Sequence, residues 1–290
     1  MAGAAQCGEH HDEQHSGNEL DFWALSRHAD VEICHRDVQR FSSAHGTVLE
    51  LMQPEPLPTG QMIFMDPPDH TALRALVSRA FTPRRLENVL ESVEHICTEV
   101  IDGFCEKGEV DLVEAMSAPF PLLVICDMMG IPRSEFKTVF DATNVILGGG
   151  DPEFVGEDIL GALFGAGMTL TGLLHEVAED RRKNPKDDLT TALINADLGE
   201  DVMTPEELGP FFILLAVAGN DTTRTAISHG MNLLSQNPDQ RRIWQDDLEG
   251  VTPTAEDIQS NLEQIEDREG SFVPASTAVR ATVSIDTPAL

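Results

Sequence analysis

The amino-acid sequence predicts a mainly α protein, in which one long central helix runs through a helical bundle that contains little β structure. Two observations favour this fold class. Apolar residues recur at three- and four-residue spacing in most segments after residue 65, and one helical segment of about 32 residues spans 205–236. With 290 residues, of which 41% are hydrophobic, the chain is long enough for one large domain or two small ones.

The N-terminal segments come first in chain order. Residues 1–18 are polar, and we expect them to form a disordered tail. Residues 21–28 are predicted to form a short strand, 29–43 a helix and 44–59 a loop. The alternative for the tail is a metal site built from sulfur and imidazole ligands, because it contains Cys7, His10, His11 and His15.

Start and stop signals delimit the helices that follow. Thr82 as N-cap and Pro83 at the first helical position predict an amphipathic helix of about 24 residues. The segment 111–132 is nearly all apolar, so it is expected in the core. Two further helices are joined by a glycine-rich hinge at 148–150, and we expect the region 147–174 to form a mobile lid.

The long helix begins at a TPEE capping box (204–207) and ends before Asn-Pro at 237–238. Its length is therefore roughly 48 Å at 1.5 Å per residue. Residues 211–218 are hydrophobic on all sides and are expected to be buried. The polar block NDTTR (220–224) is then expected near the centre of the protein, where polar groups without partners cost several kcal/mol.

The polar block contains residue types that perform proton chemistry. The Thr222 hydroxyl lies four residues after Ala218, so it is expected to bond to that carbonyl and bend the helix, while Gly219 leaves room for a small molecule. Asp221 is a carboxylate of the kind used to relay protons. The alternative is structural, because Asp221 and Arg224 are three residues apart and can pair with each other.

A second stretch, MDPPDHTALRALVSRAFTP (65–83), predicts a helix that begins near Asp69. His70 and Arg74 are four residues apart and therefore share one face of this helix. That pair suits a ligand with a carboxylate, because guanidinium binds carboxylate in bidentate fashion. The alternative is local pairing of Arg74 with Asp66 or Asp69.

Together, MDPPDHTALRALVSRAFTP and AGNDTTR resemble the cytochrome P450 family of haem-thiolate monooxygenases, in particular its soluble bacterial members. The first motif is similar to the family's propionate-binding helix and the second to the oxygen-binding groove of its long central helix. DFWALSRHADVEICHRDVQRFSSAHG is similar to the family's early strand and helix. The resemblance covers about residues 20–254, so we expect a partial P450 domain at 19–254.

The resemblance implies a haem b cofactor and assigns residues to it by position. His70 and Arg74 would hold the haem propionates, and Ala218 and Gly219 would line the groove over the iron. The resemblance also implies the substrate pocket, which the loop 46–64, the lid 147–174 and the face 211–217 would shape.

The resemblance further implies a catalytic pair and a reaction. Asp221 and Thr222 would be the acid–alcohol pair that delivers protons during oxygen activation. Family members insert one oxygen atom into an apolar substrate, with electrons from a ferredoxin and its reductase. An apolar groove fits a lipid- or steroid-like substrate.

The chain departs from the family pattern at its C-terminal side. An E-x-x-R pair after the long helix and a cysteine in an F-x-x-G-x-H-x-C-x-G loop, which supplies the axial thiolate, are both absent from the sequence. No metal ligand is therefore assigned, and Glu179 to Arg182 is interpreted as a solvated helix end. We expect a truncated chain whose residues 255–290 are an atypical tail, either frameshifted or disordered. The alternative function is a non-catalytic helical remnant that binds an apolar ligand, or haem weakly.

Charge and composition limit the partners and the location. The formal net charge is −31, which excludes a nucleic-acid footprint and disfavours anionic membranes. The sequence has no run of about 18 apolar residues and no signal peptide, so we expect a cytoplasmic protein with no membrane partner. Five cysteines without C-x-x-C spacing predict free, buried thiols.

Overall fold

The computed structural model describes residues 10–15, 18–23, 25–47, 52, 54–57, 60–148, 158–195, 202–246 and 282–284. Within these residues helices predominate, which confirms the mainly α prediction. The helices are α1 (His28–Arg36), α2 (Asp69–Ala80), α3 (Pro83–Asp102), α4 (Pro119–Met128), α5 (Phe136–Leu147), α6 (Ile159–Lys183), α7 (Leu189–Ile194), α8 (Pro205–Gln236) and α9 (Pro238–Asp246). The strands are β1 (His10–His15), β2 (Asn18–Trp23), β3 (Glu109–Asp111) and β4 (Thr282–Ser284), paired antiparallel as β1 with β2 and β3 with β4.

The N-terminal elements differ from their predictions. Strand β1 lies inside the predicted tail, and the predicted strand 21–28 overlaps only the end of β2. Helix α1 ends at Arg36 rather than at 43, because Asp37 has non-helical backbone angles and its carboxylate accepts hydrogen bonds from Arg40. The side chains required for the metal alternative at Cys7 and the neighbouring histidines lie outside the described residues, as do 255–281 and 285–290 of the predicted C-terminal tail.

The helix signals at 82–83 and 204–207 are confirmed. The backbone N–H of Arg85 donates to Thr82 Oγ1 at 3.3 Å, and α3 begins at Pro83 as predicted. At the start of α8 the Thr204 hydroxyl accepts from Glu207 N at 3.3 Å, and the Glu207 carboxylate accepts from Thr204 N at 2.9 Å. This reciprocal capping box opens a helix of 32 residues, the predicted length.

The chain divides into two compact units, and the first comprises Met1–Glu87 and Met128–Leu215. In this unit α5 and α7 pack on α6, and α2 packs on α7. A Cβ added to Gly209 on α8 would lie 2.7 Å from the Thr171 side chain on α6, so glycine permits the close approach of these helices. The core of the unit consists mainly of Leu73, Leu76, Val77, Ala80, Val139, Leu170, Leu174, Val177, Leu193, Leu208, Phe211 and Phe212.

A buried ion pair fixes the end of α6 in the first unit. Arg181 donates from Nε to Asp188 and from Nη2 to the Gly130 carbonyl at 2.6 Å. Asp188 is also the N-cap of α7, where its Oδ1 accepts from Thr191 N at 2.8 Å. Gly130 has φ +71°, and its backbone approaches both members of the pair, so one cluster connects three segments of the unit.

The second unit comprises Asn88–Asp127 and Ala216–Leu290. The expectation that the segment 111–132 is core is confirmed, since Leu112, Leu122, Ile125 and Cys126 are buried. One π-helical turn, Val113–Ser117, precedes α4. Four cysteines are described and all are free thiols, as predicted, but the expectation of burial holds only for Cys126; Cys105 is exposed because it lies in a short 3₁₀ turn rather than in a packed helix.

Helix α6 leaves a large apolar face uncovered. Leu160, Phe164 and Met168 recur at four-residue spacing and are 76%, 72% and 56% exposed. Among the described residues, α6 is also the helix that is long and apolar enough to cross a membrane by length and composition. Gly148 ends α5, whereas the rest of the predicted hinge and part of the predicted lid lie outside the described residues.

Candidate functional site

The turn of α8 that carries the polar block has the local geometry predicted from the sequence. The Thr222 hydroxyl donates to the Ala218 carbonyl at 2.7 Å, four residues earlier. The adjacent Gly219 has no side chain, and a Cβ added there would lie 3.0 Å from Ile125 Cδ1 of α4. The glycine therefore allows α4 and this part of α8 to pack closely.

The polar block is not buried as a whole, which corrects the expectation that it lies at the centre of the protein. Asn220 is 0% exposed, but the Asp221 side chain is 48% exposed, and Ala218 and Thr222 are exposed. The reason is helical periodicity, since successive side chains turn by about 100° and so Ala218 and Thr222 share a face that Asn220 does not. No side chain among the described residues covers that face.

Asp221 and Arg224 form the ion pair that the sequence left as the structural alternative. Arg224 Nη2 lies 2.7 Å from Asp221 Oδ1, and the two residues are three apart on the helix. The pair is compatible with a proton-relay role for Asp221, because a carboxylate that is half exposed and held by one oxygen still contacts water. Asn220 adds a feature that the sequence analysis missed, since neither polar atom of its buried amide has a hydrogen-bond partner in the described structure.

Helix α2 places His70 and Arg74 on one face, as predicted. His70 is half-buried near the start of the helix, and Arg74 is exposed one turn later. The described residues give the Arg74 guanidinium no ion pair, so the alternative of local pairing with Asp66 or Asp69 is not observed. The neighbouring face of α2 packs into the core through Leu73, Leu76 and Val77, which leaves His70 half-buried and Arg74 exposed beside it.

Asp66 has different partners from those considered in the sequence. Its carboxylate accepts from the Ser42 hydroxyl and, at 2.9 Å, from Ser43 N. These two hydrogen bonds lower the pKa of Asp66; burial opposes them, and the positive charges of His45 and His70 lower the pKa further. No sequence signal connects residues 42 and 66, because the contact is between segments 24 residues apart.

Each compact unit, taken by itself, contains residues whose chemistry suits part of a haem group. In the first unit His70 and Arg74 offer donors for propionates, and in the second unit the open Ala218–Thr222 face combines small side chains with a hydroxyl group. The described residues do not identify an axial thiolate ligand. Among the described residues no cluster of three His, Cys, Asp or Glu side chains is arranged to hold a metal, and no cysteine follows Cys126 in the sequence.

The relatives found by comparison with known proteins include a hydroxylase and a monooxygenase of apolar molecules. No protein-family model matches the chain. The chain is 39% identical over 239 residues to a methyl-branched lipid omega-hydroxylase of Mycobacterium tuberculosis, a match that covers 80% of this chain and 55% of the relative. It is 36% identical over 243 residues to a steroid C26-monooxygenase of Rhodococcus jostii, with 82% of this chain and 50% of the relative covered.

Solved structures agree with these sequence relatives. A cytochrome P450 of Mycobacterium marinum in complex with pseudoionone is similar with a TM-score of 0.72 and 33% identity, over 85% of this chain and 61% of that chain. A Bacillus megaterium protein in complex with corticosterone is similar with a TM-score of 0.60 and 28% identity, over 65% of this chain and 50% of that chain. The chain spans about half the length of the curated relatives that it matches.

Proposed function

Because the chain belongs to the cytochrome P450 family, we propose that it carries the propionate-binding and oxygen-side residues of a monooxygenase that oxidises a lipid- or steroid-like substrate. The observation that carries this proposal is the hydrogen bond from Thr222 to the Ala218 carbonyl on a face of α8 that is open, with Asp221 beside it. The names of the relatives, a methyl-branched lipid hydroxylase and a steroid monooxygenase, support the substrate class.

Haem b is the cofactor in this proposal, and when bound it supplies the oxidising chemistry. His70 and Arg74 would hold its propionates, because a half-buried imidazole and an exposed guanidinium that has no ion pair with a described residue provide donors for two carboxylates on one helix face. Ala218 would leave space for the group on the open face of α8, since its side chain is only a methyl group, and the adjacent Gly219 lets Ile125 of α4 pack closely beside that face.

Asp221 and Thr222 move protons in this proposal. The Asp221 carboxylate is half exposed, so it exchanges protons with water, and Arg224 keeps the carboxylate in place through Oδ1. The Thr222 hydroxyl donates a hydrogen bond to the Ala218 carbonyl, which leaves its oxygen lone pairs available to accept a hydrogen bond from a water or a reacting group. The two residues thus form a short path from solvent to the open face.

The proposal also covers the electron donors, the cellular location and the substrate pocket. A ferredoxin and its reductase supply the electrons, the protein is cytoplasmic, and it binds neither nucleic acid nor membrane. The segments 46–64, 147–174 and 211–217 shape the pocket for the apolar substrate. The exposed Leu160–Met168 face of α6 lies within the second of these segments and supports its role in contacting an apolar molecule.

A carbon-monoxide difference spectrum of the haem-reconstituted, reduced 290-residue chain tests the proposal. A thiolate-ligated haem gives the family's red-shifted Soret band, and turnover with ferredoxin, reductase and a steroid or methyl-branched lipid gives a hydroxylated product. A chain that binds haem or the lipid without this band and without product is instead the non-catalytic remnant.

Two substitutions test the proton path within an active preparation. Asp221→Asn removes the exchangeable carboxylate, and we expect product formation to fall by about 100-fold, the effect of losing a general acid–base group. Thr223→Ala is the matched control, since Thr223 is exposed on the same turn and has no assigned role. Equal rates for the Asp221→Asn variant and the control would remove Asp221 from the mechanism.

A further inference from the structure

Asp66 lies just before α2, and a distant loop engages both oxygens of its carboxylate. Ser42 donates its hydroxyl to Oδ2, and the Ser43 backbone N–H donates to Oδ1 at 2.9 Å. The Ser42 hydroxyl also accepts from Ala44 N at 3.2 Å, so the serine turn closes around the carboxylate. The backbone carbonyl of Asp66 accepts from His70 N at 3.1 Å, which makes Asp66 the connection between this loop and the turn that carries His70.

Several groups act on the Asp66 carboxylate. The hydrogen bonds from Ser42 and Ser43 keep the pKa of Asp66 below its ordinary value; burial opposes them, and His45 from the loop and His70 from α2 lower the pKa further through their electrostatic effect. Asp66 therefore stays ionised at neutral pH. It contributes a fixed negative charge on the His70 side of the helix, where α2 has no side-chain N-cap.

Asp66 and Arg74 do not form an ion pair with each other. Arg74 lies on the His70 face of α2, eight residues after Asp66, which the sequence offers as a possible ion-pair partner. Both oxygens of Asp66 accept hydrogen bonds from Ser42 and Ser43, and no ion pair between Asp66 and Arg74 is formed. The guanidinium of Arg74 is exposed and has no ion pair with a described residue, so it is available to a ligand carboxylate.

We propose that Asp66 is a positioning residue of the carboxylate-binding face, which consists of His70 and Arg74. Asp66 fixes the first turn of α2 to the Ser42–Ala44 loop and so orients His70, which lies on the same helix face as the exposed Arg74. The inference rests on the proposed function, in which this face holds the propionates of a porphyrin.

Metal-free protoporphyrin IX is the probe, because it has both propionates but needs no axial ligand. Its dimethyl ester, which lacks the negative charges, is the matched probe. We expect Asp66→Asn to weaken binding of protoporphyrin IX about tenfold, measured by fluorescence titration of the full chain, and to change binding of the ester by less than about twofold. Ser42→Ala removes one hydrogen bond and should give a smaller loss of the same kind.

Asp69→Asn is the control variant, because it removes the same charge from an exposed position in the first turn of α2. It should bind protoporphyrin IX as the wild-type chain does or slightly more tightly. Circular dichroism establishes that each variant is folded. The His70 imidazole proton resonances, recorded by NMR without porphyrin, should move in Asp66→Asn and stay in place in Asp69→Asn.

Three outcomes overturn the inference. The first is an equal loss of affinity for protoporphyrin IX and for its ester in Asp66→Asn, which indicates a role in folding only. The others are an unchanged affinity in Asp66→Asn and a wild-type chain that does not prefer the acid to the ester. Failure of the proposed function is distinct from these. A chain that prefers protoporphyrin IX through Asp66, yet forms no product with iron-containing haem, supports the positioning role and contradicts the monooxygenase proposal.

Discussion

Arg181 and Asp188 form an ion pair whose side chains are 6% and 7% exposed, whereas the side chains of Arg224 and Asp221 are 28% and 48% exposed. The first pair joins residues seven apart and includes the Gly130 carbonyl, while the second joins neighbours on one helix turn. A buried pair loses heavily when one partner is removed, because the other charge stays out of water. A half-exposed pair can exchange with solvent at small cost. The difference separates a pair suited to holding the fold from one suited to proton transfer.

The largest expected effect is at the buried pair. Arg181→Met leaves the Asp188 carboxylate buried without its cation, and we expect the free energy of unfolding to fall by about 3–5 kcal/mol in urea denaturation. The control is Arg182→Met on the next residue, whose side chain is 38% exposed and pairs with Glu179 at the helix surface. That change should cost less than about 1 kcal/mol. Similar losses for both variants would mean that burial does not distinguish the two arginines.

A second, smaller effect tests the backbone around the buried pair. Gly130 and Gly108 have nearly equal φ values of +71° and +73°, in a region that L side chains rarely adopt, so alanine is strained at both positions. A Cβ at Gly130 would lie 2.1 Å from Asp188 Oδ2, whereas one at Gly108 meets nothing within 4 Å. We expect Gly130→Ala to destabilise the chain by about 1–3 kcal/mol more than Gly108→Ala, measured by thermal unfolding.

We expect the exposed pair of Arg224 and Asp221 to contribute little to the free energy of unfolding. Arg224→Gln removes the partner of Asp221 but leaves that carboxylate in contact with water, so the free energy of unfolding should change by less than about 1 kcal/mol. In an active preparation the same change should lower product formation, because Asp221 loses the cation that holds its carboxylate in place. A large loss of stability in Arg224→Gln would show that the two pairs are alike.

The smallest effect lies at the edge of the buried pair. The pKa of Asp180 is lowered below 3.8, first by a hydrogen bond from Asn184 and also by the charge of Arg181. Because the folded pKa is the lower one, its stabilisation is present above the unfolded pKa and is lost as the pH falls through the folded value. Asp180→Asn should therefore flatten the decline of stability below about pH 5 slightly, in unfolding curves recorded at successive pH values. An unchanged decline would mean that Asp180 is not linked to folding.

Local sequence patterns predicted the features that depend on neighbours along the chain. The TPEE box, the length of α8 and the bond from Thr222 to Ala218 all follow from spacings of three or four residues. Burial of the polar block was predicted wrongly, because the apolar character of 211–218 was extended to residues that face another direction. The bonds from Ser42 to Asp66 and from Arg181 to Gly130 were not predicted, since they join segments 24 and 51 residues apart.

The uncovered face of α6 affects how the protein behaves at high concentration. With a formal charge of −31, copies of the chain repel one another in dilute buffer. Added salt shortens the range of that repulsion to about 10 Å at 0.1 M, while leaving the contact between apolar surfaces intact. Leu160, Phe164 and Met168 can then meet their counterparts on a second molecule. Colloidal stability should therefore decrease as salt is added, and light scattering should show larger particles at high ionic strength than at low.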